Sequence, residues 1–148
     1  MKISEISNYS EEAFLAMAKL LPQLGPGTIV PTREHFRKIV ESVTTHFFIL
    51  EADNRGIAGI LSICTYPIPT GTKAWIEDVV VDECFRGKGY GKALMLYAIE
   101  FARSKGAKAV ELTSRPSRIA ANRLYKELGF VIRETNLYKL SLEESNPL

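Results

Sequence analysis

Residues 86–92 read RGKGYGK, and the longer stretch VVVDECFRGKGYGKALM (79–95) decides how the chain is read. Three glycines alternate with Lys88, Tyr90 and their flanking cations. Such a backbone is bare and free to take positive φ. Upstream, KAWIEDVVVD (73–82) is rich in β-branched residues and reads as a strand. Downstream, KALMLYAIEFARSK (92–105) reads as a strongly apolar helix. A strand, a glycine loop and a helix therefore follow one another directly. The first N–H groups of a helix lack intrahelical partners and carry partial positive charge. Arg86, Lys88 and Lys92 add to it, so the stretch suits a pyrophosphate held mainly by backbone. A glycine turn that merely packs the helix onto the sheet fits the spacing equally well.

Two nucleotide motifs fail here. A Walker A loop needs Gly-Lys-Ser/Thr, yet Gly91-Lys92 precedes Ala93 and Arg86 stands where the first glycine belongs. The dinucleotide fingerprint G-x-G-x-x-G is broken by the even spacing Gly87, Gly89, Gly91.

Outward from this stretch the elements are legible. KISEIS can form a first strand. Ser10 or Asn8 can cap a helix running to about Leu24, with Ala13, Phe14, Met17, Leu20, Leu21 and Leu24 at helical spacing. LGPGTIVPT (24–32) is a loop. Thr32 can cap a second helix with Phe36, Ile39, Val40 and Val43 on one face. THFFILEA (45–52) and GIAGILSICTY (56–66) read as a hairpin around the turn DNRG (53–56), and PIPTGT (67–72) is the next turn. Gly106 stops the helix after the glycine loop. AKAVELTS (107–114) reads as a strand, and Ser117 can cap a helix through Leu128, stopped by Gly129. FVIRETNLYKLSL (130–142) is strand-like, and EESNPL is a tail. The order β α α β β β α β α β predicts an α/β (α+β) fold with a mixed, mostly antiparallel sheet and helices on both faces.

The 148 residues fit one domain, 1–148, and no linker or repeat divides them. A net charge of +2 gives no argument for nucleic acid. No apolar run approaches a membrane span, and the N-terminus has no apolar signal region, so a soluble cytoplasmic protein is expected. Cys64 and Cys84 fit no metal spacing and read as core-like thiols. His35 and His46 stand alone and read as structural. No cluster suggests a metal.

The stretch 79–91 resembles the acyl-CoA signature of the GNAT N-acetyltransferase superfamily, R/Q-x-x-G-x-G/A, with Arg86, Gly89 and Gly91 in its defining places. AANRLYKELGF (120–130) resembles the family's later helix, where a tyrosine precedes a Gly-Phe pair: Tyr125, Gly129 and Phe130. One helix and one strand separate the motifs, and the element order matches across nearly the whole chain. Many members have asparagine where this chain has Arg118.

The resemblance implies acetyl-CoA as donor, lying between parallel strands 73–82 and 107–114 that splay apart in mid-sheet. Backbone groups of Val79, Val80 and Val81 would pair with the pantetheine arm as an added strand would. N–H groups from Gly87 through Lys88, Gly89, Tyr90 and Gly91 to Lys92 would hold the pyrophosphate, with Arg86 beside them. The resemblance makes Asn122 a further cofactor contact, although a surface asparagine would fit the same place. The reaction needs a neutral amine, so a base must deprotonate the acceptor, often through water. Glu77 is the candidate, because strands of related enzymes carry a carboxylate there. Asp78 is the fallback or an acceptor-binding group. Strand alternation predicts Glu77, Val79 and Val81 on one face. A backbone N–H near Val79 would meet the developing oxyanion. Tyr125 would return a proton to the leaving thiolate, although a core tyrosine would occupy the same helix face.

The expected acceptor is a small-molecule primary amine rather than a protein. The loop before Thr32 and the helix after it lie where the family selects acceptors, and the few charges before Arg33 declare no preference. Trp75 and Tyr66 are further pocket candidates. Homodimers are common in the family, but no feature here demonstrates one. The rival readings are an acyl-CoA-binding sensor without catalysis, against which Glu77 and Tyr125 argue, and a nucleotide-binding protein, against which the failed motifs argue.

Overall fold

The computed structural model describes residues 1–53 and 56–143. Two compact units divide the chain, 1–115 and 116–148.

In the first unit, β1 (Lys2–Ile6), β2 (Thr45–Ala52), β3 (Gly56–Ile68) and β4 (Gly71–Val81) form an antiparallel sheet in the order β1-β2-β3-β4. The β2–β3 turn was expected at 53–56, and Asn54 and Arg55 lie outside the described residues. The expected turn at 67–72 tightens to residues 69 and 70, because β3 and β4 stay paired as far as Ile68 and Gly71.

Alternation along β2 sends neighbouring phenylalanines to opposite faces. Phe47 joins a core with Ala13, Phe14 and Met17 of α1 (Glu11–Leu20) and Phe36 and Val40 of α2 (Arg33–Val40). Phe36 sits edge-on to Phe47 at 5.1 Å. Phe48 packs on the other face, edge-on to Tyr97 and Phe101 of α3 (Tyr90–Ser104), each at 5.1 Å. Helices therefore cover both faces of the sheet. Ser10 caps α1 by accepting from the Ala13 N–H, and Thr32 caps α2 by accepting from the His35 N–H. His46 is structural: buried, it bonds Glu5 at 2.7 Å and Thr65 at 3.3 Å, tying β1, β2 and β3 together.

Several expectations change. The helix expected to reach Leu24 ends at Leu20, because Pro22 opens a tighter 3-10 turn over Leu21–Leu24. α2 stops at Val40, so Val43 leaves its apolar face and is exposed. Cys84 is exposed in a short 3-10 turn, Glu83–Phe85, and only Cys64 is partly covered. The strand expected over 107–114 is reduced to two parallel bridges, Thr72↔Ala107 and Trp75↔Glu111. The Ile76 N–H donates to Glu111 at 2.9 Å, and the Glu111 N–H donates to Ala74 at 3.0 Å. Both bridges fall in the first half of β4.

The second unit holds α4 (Ile119–Glu127). Its N-cap is Arg118, without a side-chain cap bond, rather than Ser117. Gly129 follows it at positive φ, as Gly106 follows α3. Residues 130–142 form no strand, and Val131, Ile132, Leu137, Tyr138, Leu140 and Leu142 are exposed. A period-two pattern makes a strand only where a neighbouring strand takes its hydrogen bonds. Of the expected tail, residues 144–148 lie outside the described residues.

Candidate functional site

β4 is interrupted where the candidate carboxylates stand. Glu77 pairs with Ser62 and Val80 with Ile60, so Asp78 and Val79 together oppose Leu61. This is a β-bulge, and it bends the strand. Asp78 takes φ 50°, the only positive φ outside glycine among the described residues. Aspartate is one of the few residues that tolerate this conformation, because its short side chain bonds locally. The extra residue overturns the alternation expected from sequence. Glu77 shares its face with Val80, whose side chain joins the α1–α2 core, and not with Val79.

Glu77 reaches solvent, but neighbouring protein atoms crowd its carboxyl. Desolvation chiefly, and the adjacent Asp78 charge next, raise its pKa above the ordinary carboxylate value. A hydrogen bond from Trp75 partly opposes the rise. Such a carboxylate is a stronger base than an exposed glutamate. Asp78 instead lines a pocket of about 240 Å³ whose walls include Met17, Phe36, Ile39 and Phe47. Ser62, the cross-strand partner of Glu77, lines the same pocket, and Glu77 itself does not. Thr28, Ile29, Pro31, His35, Phe36 and Ile39 of the lining come from the loop and helix named from the sequence as the acceptor side, whereas the void itself was not legible. Its lining residues carry the periodicity of ordinary helix core, and nothing in that periodicity marks a void.

The glycine loop is shorter than its sequence suggests, because α3 starts inside it at Tyr90. Gly87 and Gly89 take φ 75° and 80°, while Gly91 lies in the first helical turn. Gly89 is the N-cap and supplies no side-chain bond to the first N–H groups. Nothing lies within 4 Å of where a Cβ would stand on Gly87 or Gly89, so the space over this helix end is open. A pyrophosphate fits these residues by shape and by charge.

The flanking side chains brace the loop. The Arg86 Nε donates to the Val81 carbonyl at 3.3 Å, and its Nη2 donates to Gln23 at 3.4 Å. Gln23 also accepts from the Glu83 N–H at 3.0 Å. The Phe85 ring stacks on Tyr90 at 6.2 Å, with the Lys88 ammonium 5.1 Å from its centre. Asp82 is buried, accepts from Lys19 at 2.8 Å and from the Cys84 N–H at 3.1 Å, and thereby fastens the end of β4 to α1. The Lys19 bond first, and the Cys84 N–H next, hold its carboxyl below the usual range.

In the second unit Tyr125 is buried, with its ring 6.0 Å from Phe130. Burial raises its hydroxyl pKa, against a smaller lowering from Arg118. Asn122 lies one turn before it on α4. Tyr66 is exposed, and neither it nor Trp75 is among the residues that line the pocket. Among the described residues no three His, Cys, Asp or Glu side chains gather as a metal site, and no helix is long and apolar enough to cross a membrane.

An uncharacterized N-acetyltransferase of Methanocaldococcus jannaschii is 32% identical over 104 residues, covering 69% of this chain and 46% of that relative. A glucosamine 6-phosphate N-acetyltransferase of Trypanosoma brucei brucei is 44% identical over 62 residues, 42% of this chain and 40% of the relative. The chain thus spans less than half the length of either. The structure of an aminoglycoside acetyltransferase from an uncultured soil metagenomic sample, in complex with sisomicin, superposes with a TM-score of 0.83. The superposition covers 97% of this chain and 96% of that one at 19% identity, a likeness of fold. The model of the acetyltransferase (GNAT) family matches residues 14–130. With that match across the bulged strand, the glycine loop and α4, the chain belongs to the acetyltransferase (GNAT) family.

Proposed function

We propose that the protein is an acetyl-CoA-dependent N-acetyltransferase that acts on the primary amine of a small molecule. The observation that carries this reading is the bare start of α3, where Gly87 and Gly89 open the helix N-terminus beside the end of β4. Acetyl-CoA, when bound, supplies an activated acetyl thioester. The α3 N–H groups, from Gly89 to Lys92, hold its pyrophosphate. Backbone groups of Val79 to Val81 hold its pantetheine arm as an added strand would.

Glu77 takes a proton from the acceptor ammonium, directly or through water. Its raised pKa suits it to this, since an effective base has a pKa close to the working pH. Tyr125, protonated at neutral pH as an ordinary tyrosine is, gives a proton to the departing sulfur. Asn122 contributes to donor binding. The glucosamine 6-phosphate relative carries a small-molecule acceptor in its name, which supports a small molecule over a protein here. A cytoplasmic location belongs to the same reading.

Calorimetric titration with CoA, ATP and NAD, joined to thiol-release assays with acetyl-CoA and a broad amine panel, tests this. Tight binding of CoA alone and thiol release with some amine are expected. Tight CoA binding without release for any amine would leave a sensor, not an enzyme.

A further inference from the structure

The glycine loop has little of its own to hold it in place. Gly87 and Gly89 take positive φ, and nothing lies within 4 Å of where a Cβ would stand on either. Bare glycine backbone has the most freedom to lose when it is fixed. A site that must be ordered on binding gives up affinity, so the loop gains from being held beforehand.

The turn just before the loop, Glu83–Phe85, is only three residues long. Its closing bond, from the Arg86 N–H to the Glu83 carbonyl, is long at 3.4 Å. The first N–H of such a turn finds no partner inside it, and that of Glu83 goes to Gln23 at 3.0 Å. Gln23 belongs to another element, the turn Leu21–Leu24 that follows α1. The same amide oxygen accepts from the Arg86 Nη2 at 3.4 Å. Both partners are donors, so the oxygen and not the NH2 of Gln23 must face them. Arg86 also donates to the Val81 carbonyl at 3.3 Å. One oxygen thereby ties together both ends of the segment 83–86 and, through Arg86, the last residue of β4. These two bonds span 60 and 63 residues of sequence, so the loop's local folding does not supply them.

Resting on the N-acetyltransferase reading, we propose that Gln23 is a positioning residue for the donor. Acting through the Glu83 N–H and Arg86, it holds the glycine loop in the shape that receives the pyrophosphate.

The test uses the full chain with two variants. Gln23→Met keeps the length of the side chain and removes the acceptor. Gln23→Glu keeps the acceptor as a carboxylate that can take both bonds. Calorimetry with CoA reads the donor site without turnover, and hydrogen exchange at residues 83–89 reads the loop without any ligand. Gln23→Met is expected to weaken CoA about tenfold and to speed exchange at 83–89. It should raise KM for acetyl-CoA by a similar factor, with KM for the amine and kcat at saturating acetyl-CoA unchanged. Gln23→Glu is expected to bring CoA affinity back to within about threefold of the parent. CoA affinity in Gln23→Met within about twofold of the parent overturns the assignment. So does a Gln23→Glu variant as weak as Gln23→Met, or an equal rise in KM for the amine, which would mark a general loss of structure. A parent that binds no CoA removes the transferase reading instead. Faster exchange at 83–89 in Gln23→Met then still upholds the hold on the loop, and unchanged exchange overturns it.

Discussion

The glycine loop, the proposed donor end, and the pocket beside Asp78 lie within one unit, yet they are built from different materials. The loop is contiguous backbone: two glycines at positive φ and a helix end without a side-chain cap. The pocket is side chains brought together from α1, α2, the segment between them and three strands. A ligand held by backbone tolerates changes in the loop's own side chains, provided the glycines stay. A ligand held by converging side chains changes whenever one of them does. The donor end should therefore be common to every acceptor, and the pocket should be where acceptors are told apart.

Four measurements bear on that contrast, in falling order of effect. Tyr125→Phe removes the proposed proton donor, and kcat should drop about 10²-fold or more with CoA affinity nearly intact. An unchanged kcat would return Tyr125 to the core. Gly89→Val forces a β-branched residue to φ 80°, costing about 1–3 kcal/mol. It should weaken CoA binding by the same factor whichever amine is present. A factor that depends on the amine would mean the two regions are not separate.

Glu77 comes third. Its pKa is raised, so lowering the pH protonates it before an ordinary glutamate, and kcat/KM should fall on the acid side by about tenfold per pH unit. In Glu77→Gln that acid limb should vanish; a limb that persists assigns the base elsewhere.

The fourth measurement, thermal melts of Asp82→Asn against the parent, probes the fastening between the regions. Asp82 has a depressed folded pKa, so its contribution to stability is present above its unfolded value and is lost as pH falls through the folded one. The variant should melt a few degrees lower at neutral pH, and the gap should close in acid. A gap independent of pH would refute the ionic account.

The same contrast explains what the sequence could disclose. Residues 86–92 advertise the donor end because glycine at positive φ is a composition signal. β2 was legible to the residue, since THFFILEA is apolar and bounded by turns. The bulge at Asp78 was not, because strand alternation assumes that each residue has one partner. Trp75, Ile76 and Glu77 keep period two on one side of it, and Val80 breaks phase on the other. Residues 130–142 taught the opposite lesson. Their alternating apolar pattern reads as strand as well as β2 does, yet they form none. The pocket lay hidden for a third reason: Met17, Phe36 and Ile39 look like core from their spacing, and only three-dimensional packing separates filled from hollow.

The bulge also constrains how this chain can change. With φ at 50°, position 78 accepts aspartate, asparagine or glycine at little cost and resists larger or β-branched residues. Mutation there can remove the charge but cannot readily replace it with a bulky or cationic group. Changes to the pocket are therefore more accessible from the loop and α2 side, at Thr28, Ile29, His35 and Ile39. A library built on those four positions should yield more functional variants than one built on the strand, whose single interruption fixes where the charge stands.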